Sequence, residues 1–166
     1  MTHTAVVILN YNGEALLRKF LPSVVQHTTG AAIVVADNAS TDQSLLFVQQ
    51  HFPAVQCIAL DKNYGFCGGY NRALAQIDAT YVVLLNSDVE VTPGWLTPMV
   101  RLLEAHPHIA AAQPKIIAYH DKQTFEYAGA GGGFIDAFGY PYCRGRVFDT
   151  LERDHHQYDD VRPVFW

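Results

Sequence analysis

Ala31–Ala36 (AAIVVA), followed at once by Asp37–Asp42 (DNASTD), is the stretch whose reading decides the fold. A short run of Val, Ile and Ala without polar alternation reads as a strand buried on both faces, as in a parallel sheet. The pattern recurs where Tyr81–Leu85 (YVVLL) ends in Asn86–Glu90 (NSDVE). In open α/β sheets ligands sit at the carboxyl ends of the strands, so both polar clusters fall where a ligand belongs. A carboxylate there accepts hydrogen bonds from a base or sugar, or holds a hard divalent cation. Two such ends on one sheet suit a ligand with a nucleoside part and a charged phosphate part.

Outward from these runs the chain alternates strand and helix. Ala5–Leu9 (AVVIL) reads as a strand that leaves through the turn Asn10–Gly13. Leu16, Leu17, Phe20, Leu21, Val24 and Val25 then recur at helical spacing, with Pro22 predicting a kink or an early end. Ser40 and Gln43 have the spacing of a capping box for a helix carrying Leu45, Val48 and Phe52, and Pro53 ends it. Val55–Leu60 is a third strand, and the glycine-bearing loop Asp61–Gly69 leads into a helix over Tyr70–Ile77. Thr92–Trp95 starts a further helix with Leu96, Met99, Val100 and Leu103 on one face. Such alternation over about 110 residues means an α/β fold: a mostly parallel sheet with right-handed crossovers, flanked by helices.

The pattern changes after Pro114. Lys115–Tyr119 reads as a strand, Ala128–Gly133 as a flexible or tight turn, and Asp149–Asp160 as an exposed charged loop. The expected division is an α/β part over residues 1–119 and the start of a second part over 120–166. Val164-Phe165-Trp166 looks like the beginning of a strand, and terminal aromatics suggest a fragment boundary or a truncated gene.

Composition narrows the function classes. With a net charge of −5 and a pI near 5.8, the chain has no field that would gather nucleic acid. No apolar stretch reaches the roughly 20 residues that span a bilayer, and the start carries no signal-peptide pattern. Cys57, Cys67 and Cys143 form no CxxC pair and fit a reducing cytoplasm. His155-His156 reads as part of a solvated loop rather than as a metal site.

A dinucleotide-binding Rossmann domain requires G-x-G-x-x-G after the first strand, whereas Asn10–Gly13 offers one glycine. A receiver domain gives no reason for Asn86-Ser87-Asp88, and a nucleotidyltransferase wants a basic, glycine-rich loop where Asn10–Gly13 has neither Lys nor Arg. The succession VVILNYNG (Val6–Gly13), VVADNASTD (Val34–Asp42), NYGFCGGYNRAL (Asn63–Leu74) and LLNSDVEVTPGWL (Leu84–Leu96) resembles family 2 glycosyltransferases of the GT-A fold. The resemblance covers Ala5–Tyr119, and Tyr140–Phe148 with Val164-Phe165-Trp166 is similar to the bacterial rhamnosyltransferase-like branch.

The resemblance implies a donor site for a UDP- or dTDP-sugar and a divalent cation, Mg²⁺ or Mn²⁺. By it, Asn10 and Asp37 contact the base or ribose; the competing reading makes Asp37 a helix cap. Asp42 is assigned to capping or turn chemistry, and Asn38 and Ser40 to the turn. Gly65, Gly68 and Gly69 either let the backbone approach the nucleotide or serve packing, with Asn71 and Arg72 on the helix behind them. Arg72 meets the base or diphosphate, or pairs with a surface acid. Asn86-Ser87-Asp88 falls on the family's Asp-x-Asp metal motif, so Asp88 matches the metal-binding acid while Asn86 leaves one charge missing. Glu90 is the nearest substitute carboxylate if the strand continues. Arg144-Gly145-Arg146 either clasps the diphosphate or belongs to a plain hairpin. Phe134, Phe138, Tyr140 and Tyr142 form a sugar platform or pack into the core.

The activity implied is metal-assisted, inverting transfer of a sugar to a glycan or lipid-linked acceptor. The general base is expected beyond Trp166, so the chain carries the donor half and is weak or inactive alone. The alternative is a non-catalytic nucleotide-sugar-binding or regulatory module. The expected setting is cytoplasmic, with peripheral association at the inner face of the membrane open to the full-length enzyme.

Overall fold

A computed structural model of the chain describes residues 4–126 and 131–164. The chain forms two compact units, Met1–Val100 and Arg101–Trp166, a division earlier than the compositional one at residue 119.

In the first unit, β1 (Thr4–Asn10), β2 (Ala32–Asp37), β3 (Gln56–Ala59) and β4 (Tyr81–Leu85) form one sheet in the order β3-β2-β1-β4. Every neighbouring pair is parallel, and α1 (Glu14–His27), α2 (Ser44–His51) and α3 (Gly65–Leu74) join successive strands. Period-two alternation sends side chains to both faces. Val6, Ile8 and Val35 join Leu17, Leu21, Val24, Phe47 and Val48 in one core, while Ala5, Val7, Val34 and Ala36 join Tyr70 and Ala73 in the other. So α1 and α2 cover one face and α3 the other. Val6, Val7, Val34 and Val35 are wholly buried, each contributing about 1.5–3 kcal/mol. That is why β1 and β2 hold the centre.

Five local expectations are corrected. Tyr81–Leu85 is not buried on both faces: β4 is an edge strand, and Val82 and Leu84 are 39% and 53% exposed. Pro22 does not end α1 early: the helix runs on to His27, with Leu17, Leu21 and Val24, each 1% exposed, anchoring both sides of it. Ser40 does not cap α2, which starts at Ser44 without a side-chain cap. The loop expected at Gly65–Gly69 is the start of α3. Thr92–Trp95 is likewise a turn, closed by Trp95 N–H on the Thr92 carbonyl, and α4 (Thr97–Ala105) begins after it.

In the second unit, β5 (Gly133–Ile135) pairs antiparallel with β6 (Pro141–Cys143), and β7 (Arg146–Val147) with β8 (Thr150–Leu151). Lys115–Tyr119 is no strand. It makes a single bridge, Ile117 to Phe125, because the chain reverses at Asp121, whose carboxylate accepts from Gln123 N–H and Thr124 Oγ. Phe125 is fully buried, and a Cβ on Gly145 (φ +86°) would lie 2.7 Å from its ring. The Asp149–Asp160 stretch contains β8 and a bridge from Arg153 to Thr124. It is tied down further by the Lys115 ammonium, 2.6 Å from both Asp154 and Asp159. Residues 128–130 of the glycine-rich segment, and Phe165 and Trp166, lie outside the described residues.

Candidate functional site

The carboxyl edge of the sheet collects the polar strand ends. Asn10 closes β1 and Asp37 closes β2 directly opposite it in register. Both are buried, 1% and 3% exposed. Asp37 Oδ1 accepts from Asn10 Nδ2 at 2.9 Å and from Ser40 Oγ at 2.6 Å, and its Oδ2 accepts from Ser40 N–H at 2.9 Å. The Asn10 amide also reaches Ser40 Oγ at 3.1 Å and Ser44 Oγ at 2.8 Å. A buried carboxylate needs such donors to offset its lost hydration. Asn10 Oδ1 has no partner among the described residues. It crowds Gly13, where a Cβ would come within 2.4 Å, so the turn after β1 needs glycine.

Around this pair the turns are cross-braced. Asn12, at φ +51°, accepts Thr41 N–H on its side chain at 2.7 Å and donates its own N–H to Ser40 Oγ at 2.9 Å. Asp42 accepts from Glu14 N–H at the start of α1 and from Ser44 N–H, both at 3.0 Å. Burial pushes the Asp42 carboxyl up, but the hydrogen bond from Ser44 Oγ and those from the backbone outweigh it and hold it below its ordinary value of 3.8. Capping and turn chemistry is what Asp42 does here. Asn38, 2% exposed, donates to Asn63 Oδ1 and the Gly65 carbonyl and accepts Tyr64 N–H at 2.9 Å. It thereby ties the end of β2 to the start of α3. Asp37 also raises the Cys57 thiol, after burial, which is the larger cause.

On α3, Gly69 faces the sheet, and a Cβ there would meet Leu9 Cδ1 at 2.9 Å and Asn38 Nδ2 at 3.0 Å. Gly69 is a packing glycine. Gly68 is half-buried, and Asn71 and Arg72 are exposed on the face away from the sheet. The Arg72 guanidinium lies 3.5 Å from the centre of the Tyr64 ring, and it has no ion pair with an acid among the described residues. Tyr64 in turn donates its hydroxyl to Asp61 at 2.8 Å.

Beside β1, Leu85 ends β4 opposite Ile8. The Tyr70 hydroxyl donates to the Leu85 carbonyl at 3.2 Å, fixing the point from which Asn86, Ser87 and Asp88 depart. Burial raises the Tyr70 phenol, which keeps it a donor. Asn86 and Asp88 are exposed and Ser87 half-buried. The strand stops at Leu85, so the condition under which Glu90 would substitute for the missing carboxylate is not met. Tyr11, 52% exposed immediately after Asn10, is an aromatic face at this edge that sequence reasoning passed over. Its place next to a strand-ending Asn was the available signal.

In the second unit, Arg144 donates Nε to the Gly131 carbonyl at 2.8 Å and pairs with Asp160 at 3.3 Å. Arg146 pairs with Asp149 at 4.0 Å and bonds the Phe148 carbonyl. Both arginines serve the local hairpins. The core reading fails for Phe138, Tyr140 and Tyr142, which are 87%, 70% and 52% exposed. Asp154, His156 and Asp159 have ligand spacing, but the Lys115 ammonium already provides the cation between the two carboxylates.

The profile of glycosyl transferase family 2 matches residues 5–151. The chain belongs to that family. An N-acetylglucosaminyl-diphospho-decaprenol L-rhamnosyltransferase of Mycobacterium tuberculosis is 27% identical over 180 residues, covering 97% of this chain and 57% of its own length. Staphylococcus aureus TarS 1–349, solved with UDP-GlcNAc, superposes with a TM-score of 0.57 at 22% identity, over 74% of this chain and 39% of that one. The mannosyltransferase PcManGT of Pyrobaculum calidifontis, solved with GDP-Man and Mn²⁺, gives 0.55 at 21% identity, over 69% and 33%. The two superpositions show the GT-A fold. This family 2 chain spans little more than half of the mycobacterial relative and less of the solved structures. No helix among the described residues is long and apolar enough to cross a membrane.

Proposed function

We propose that this family 2 domain binds a UDP- or dTDP-sugar at the carboxyl edge of its sheet and that the whole enzyme transfers the sugar to a glycan or lipid-linked acceptor. The observation that carries the reading is the Asn10–Asp37 pair, held at the centre of that edge by a closed set of hydrogen bonds. In this reading the pair and the Tyr11 ring form the nucleoside end, with Tyr11 stacking on the base. Gly68, Asn71 and Arg72 flank it, and Arg72 can leave its exposed stack on Tyr64 for a phosphate.

Asn86, Ser87 and Asp88 form the diphosphate end. Their oxygen donors suit a hard cation, Mg²⁺ or Mn²⁺, and among the described residues these side chains have no other hydrogen bond or ion pair. Asp88 would hold the cation, with Asn86 contributing an amide oxygen directly or through water. When bound, the cation offsets charge on the departing nucleoside diphosphate. Transfer with inversion breaks the anomeric C–O bond to the diphosphate as the acceptor oxygen attacks, and a general base takes the acceptor proton. No described residue is assigned as that base.

The test is a calorimetric and thermal-shift panel of UDP, dTDP, GDP and their sugars with and without Mn²⁺. The expected result is a stabilising shift with UDP or dTDP that Mn²⁺ enlarges. No shift with any nucleotide would overturn the reading. Binding without turnover on sugar acceptors fits the donor half of an enzyme and the non-catalytic module alike, and robust turnover by this chain alone would exclude both.

A further inference from the structure

We infer that one face of the β5–β6 hairpin is a saccharide platform, on which Tyr140, Tyr142 and Phe134 stack against a pyranose beside Asp136. The inference rests on the glycosyltransferase reading and names a surface for the acceptor sugar. Phe134 stands directly opposite Tyr142, and Asp136 N–H donates to the Tyr140 carbonyl at 3.0 Å, which continues the ladder. By alternation these four side chains share one face.

The Phe134 and Tyr142 rings are stacked, with centroids 5.6 Å apart and planes at 23°. At one end the Arg144 guanidinium lies 5.1 Å from the Phe134 ring, itself held by Gly131 and Asp160, so the stripe is braced. The other end is open, with Tyr142 and Tyr140 52% and 70% exposed. Folding gains nothing from leaving adjacent aromatic rings in water, and a contiguous exposed patch marks an interaction surface.

The chemistry of the face selects the occupant. A pyranose offers an apolar C–H face to a ring and hydroxyls around its rim, which matches tyrosine rings bearing phenolic hydroxyls. Asp136 Oδ1 accepts Phe138 N–H at 2.8 Å and Tyr140 N–H at 2.9 Å, which leaves Oδ2 for a sugar hydroxyl. A carboxylate in the middle of the face opposes insertion into lipid. The chain's net charge of −5 opposes a phosphate-rich polymer. A neutral, hydroxyl-rich ring meets neither obstacle.

The experiment is saturation-transfer NMR on the full chain, with N,N′-diacetylchitobiose and methyl α-L-rhamnopyranoside as probes at about 10 mM. UDP titration and cosedimentation with phosphatidylcholine vesicles run in parallel. The expected result is transfer to the C–H protons of one pyranose face, reduced roughly fivefold by Tyr142→Ala or Tyr140→Ala and retained by Tyr142→Trp. Transfer from neither probe, or equal transfer in wild type and both alanine variants, would overturn the platform. So would vesicle binding that Tyr140→Ala abolishes. UDP binding without saccharide transfer sinks the platform alone. Saccharide transfer with no nucleotide binding leaves the platform standing and sinks the glycosyltransferase reading.

Discussion

Asp37→Asn separates what the carboxylate does for the fold from what it does for a ligand. Asp37 is 3% exposed and acts only as an acceptor, from Asn10 Nδ2 and Ser40 Oγ on one oxygen and Ser40 N–H on the other. An amide of the same shape must turn an NH₂ group toward one of these sites. Facing Ser40 N–H, it opposes a backbone donor that cannot rotate. Facing Asn10, it opposes another NH₂, and the Ser40 hydroxyl, which already accepts from Asn12 N–H and Asn10 Nδ2, must give up one of those bonds to accept from it. Either way one or two hydrogen bonds to a charged acceptor are lost, each worth about 1.5–3 kcal/mol, and relief of the buried charge offsets part of that. The net loss is ~3 kcal/mol, or roughly 6–12 °C in Tm for a chain of this length. Thermal unfolding followed by circular dichroism measures it. UDP titrated without metal should bind about tenfold more weakly. Ser44→Ala is the control for ligand binding, since it removes one acceptor of Asn10 at 2.8 Å and the hydroxyl donated to Asp42 but leaves the three bonds of Asp37 intact. It should cost about 2–3 kcal/mol and leave UDP affinity unchanged. A Tm for Asp37→Asn equal to wild type refutes the hydrogen-bond reasoning, and unchanged UDP affinity removes Asp37 from the nucleoside end.

Gly69→Ala sets a helix-propensity gain of up to ~1 kcal/mol against overpacking at 2.9 Å from Leu9 and 3.0 Å from Asn38; overpacking costs about 1–3 kcal/mol, so urea denaturation should show a net loss. Asp42→Ala should cost about 1 kcal/mol by uncapping α1. Because the folded Asp42 carboxyl lies below its ordinary value of 3.8, its contribution is full well above that value and is lost as the pH falls through the folded one; acid titration of the variant should therefore be shallower than that of wild type. Asp88→Ala should abolish the Mn²⁺-dependent increment of UDP binding in calorimetry while leaving Tm unchanged, since its exposed side chain supports no other contact among the described residues.

Sequence periodicity made β1 and β2 legible because both faces of each are covered, so their composition reports burial directly. The same reasoning overstated Tyr81–Leu85. An apolar run carries no mark of whether a sheet has a neighbour on both sides, and among the described residues β4 has one on a single side. The start of α3 was misplaced because Gly65-Phe66-Cys67-Gly68-Gly69 has loop composition; Gly69 is there for close approach to Leu9 and Asn38, a tertiary cause invisible to local propensity, and Gly65 for its φ of +69°. At the site, Asp37 followed from the end of a buried run, whereas Asn10 read only as the start of a turn and entered the site through the family resemblance. Their mutual bond, and the service of Ser40 and Ser44 to it rather than to a helix cap, depended on turns at Asn12 (φ +51°) and Ala39 (φ +62°) that no pattern announces.

The two ends of the candidate site are held with different stiffness, and that bears on how a ligand would load. At the nucleoside end, Asn10, Asp37, Ser40, Ser44 and Asp42 form one closed network linking β1, β2 and the starts of α1 and α2. Such an end loses little further freedom on binding, so contacts made there convert efficiently into affinity. The proposed diphosphate end is pinned on both sides, by the Tyr70–Leu85 bond before it and by buried Val91, whose N–H donates to Ser23 Oγ, after it, while the Asn86, Ser87 and Asp88 side chains have no described partner. Ordering that end costs conformational entropy that only ligand or cation contacts repay. On the proposed reading the nucleoside would seat first on the rigid pair, and the Asn86, Ser87 and Asp88 side chains would settle on the diphosphate and its cation afterwards. Having one carboxylate where the family motif has two weakens the cation's hold before the diphosphate arrives, which reinforces that order.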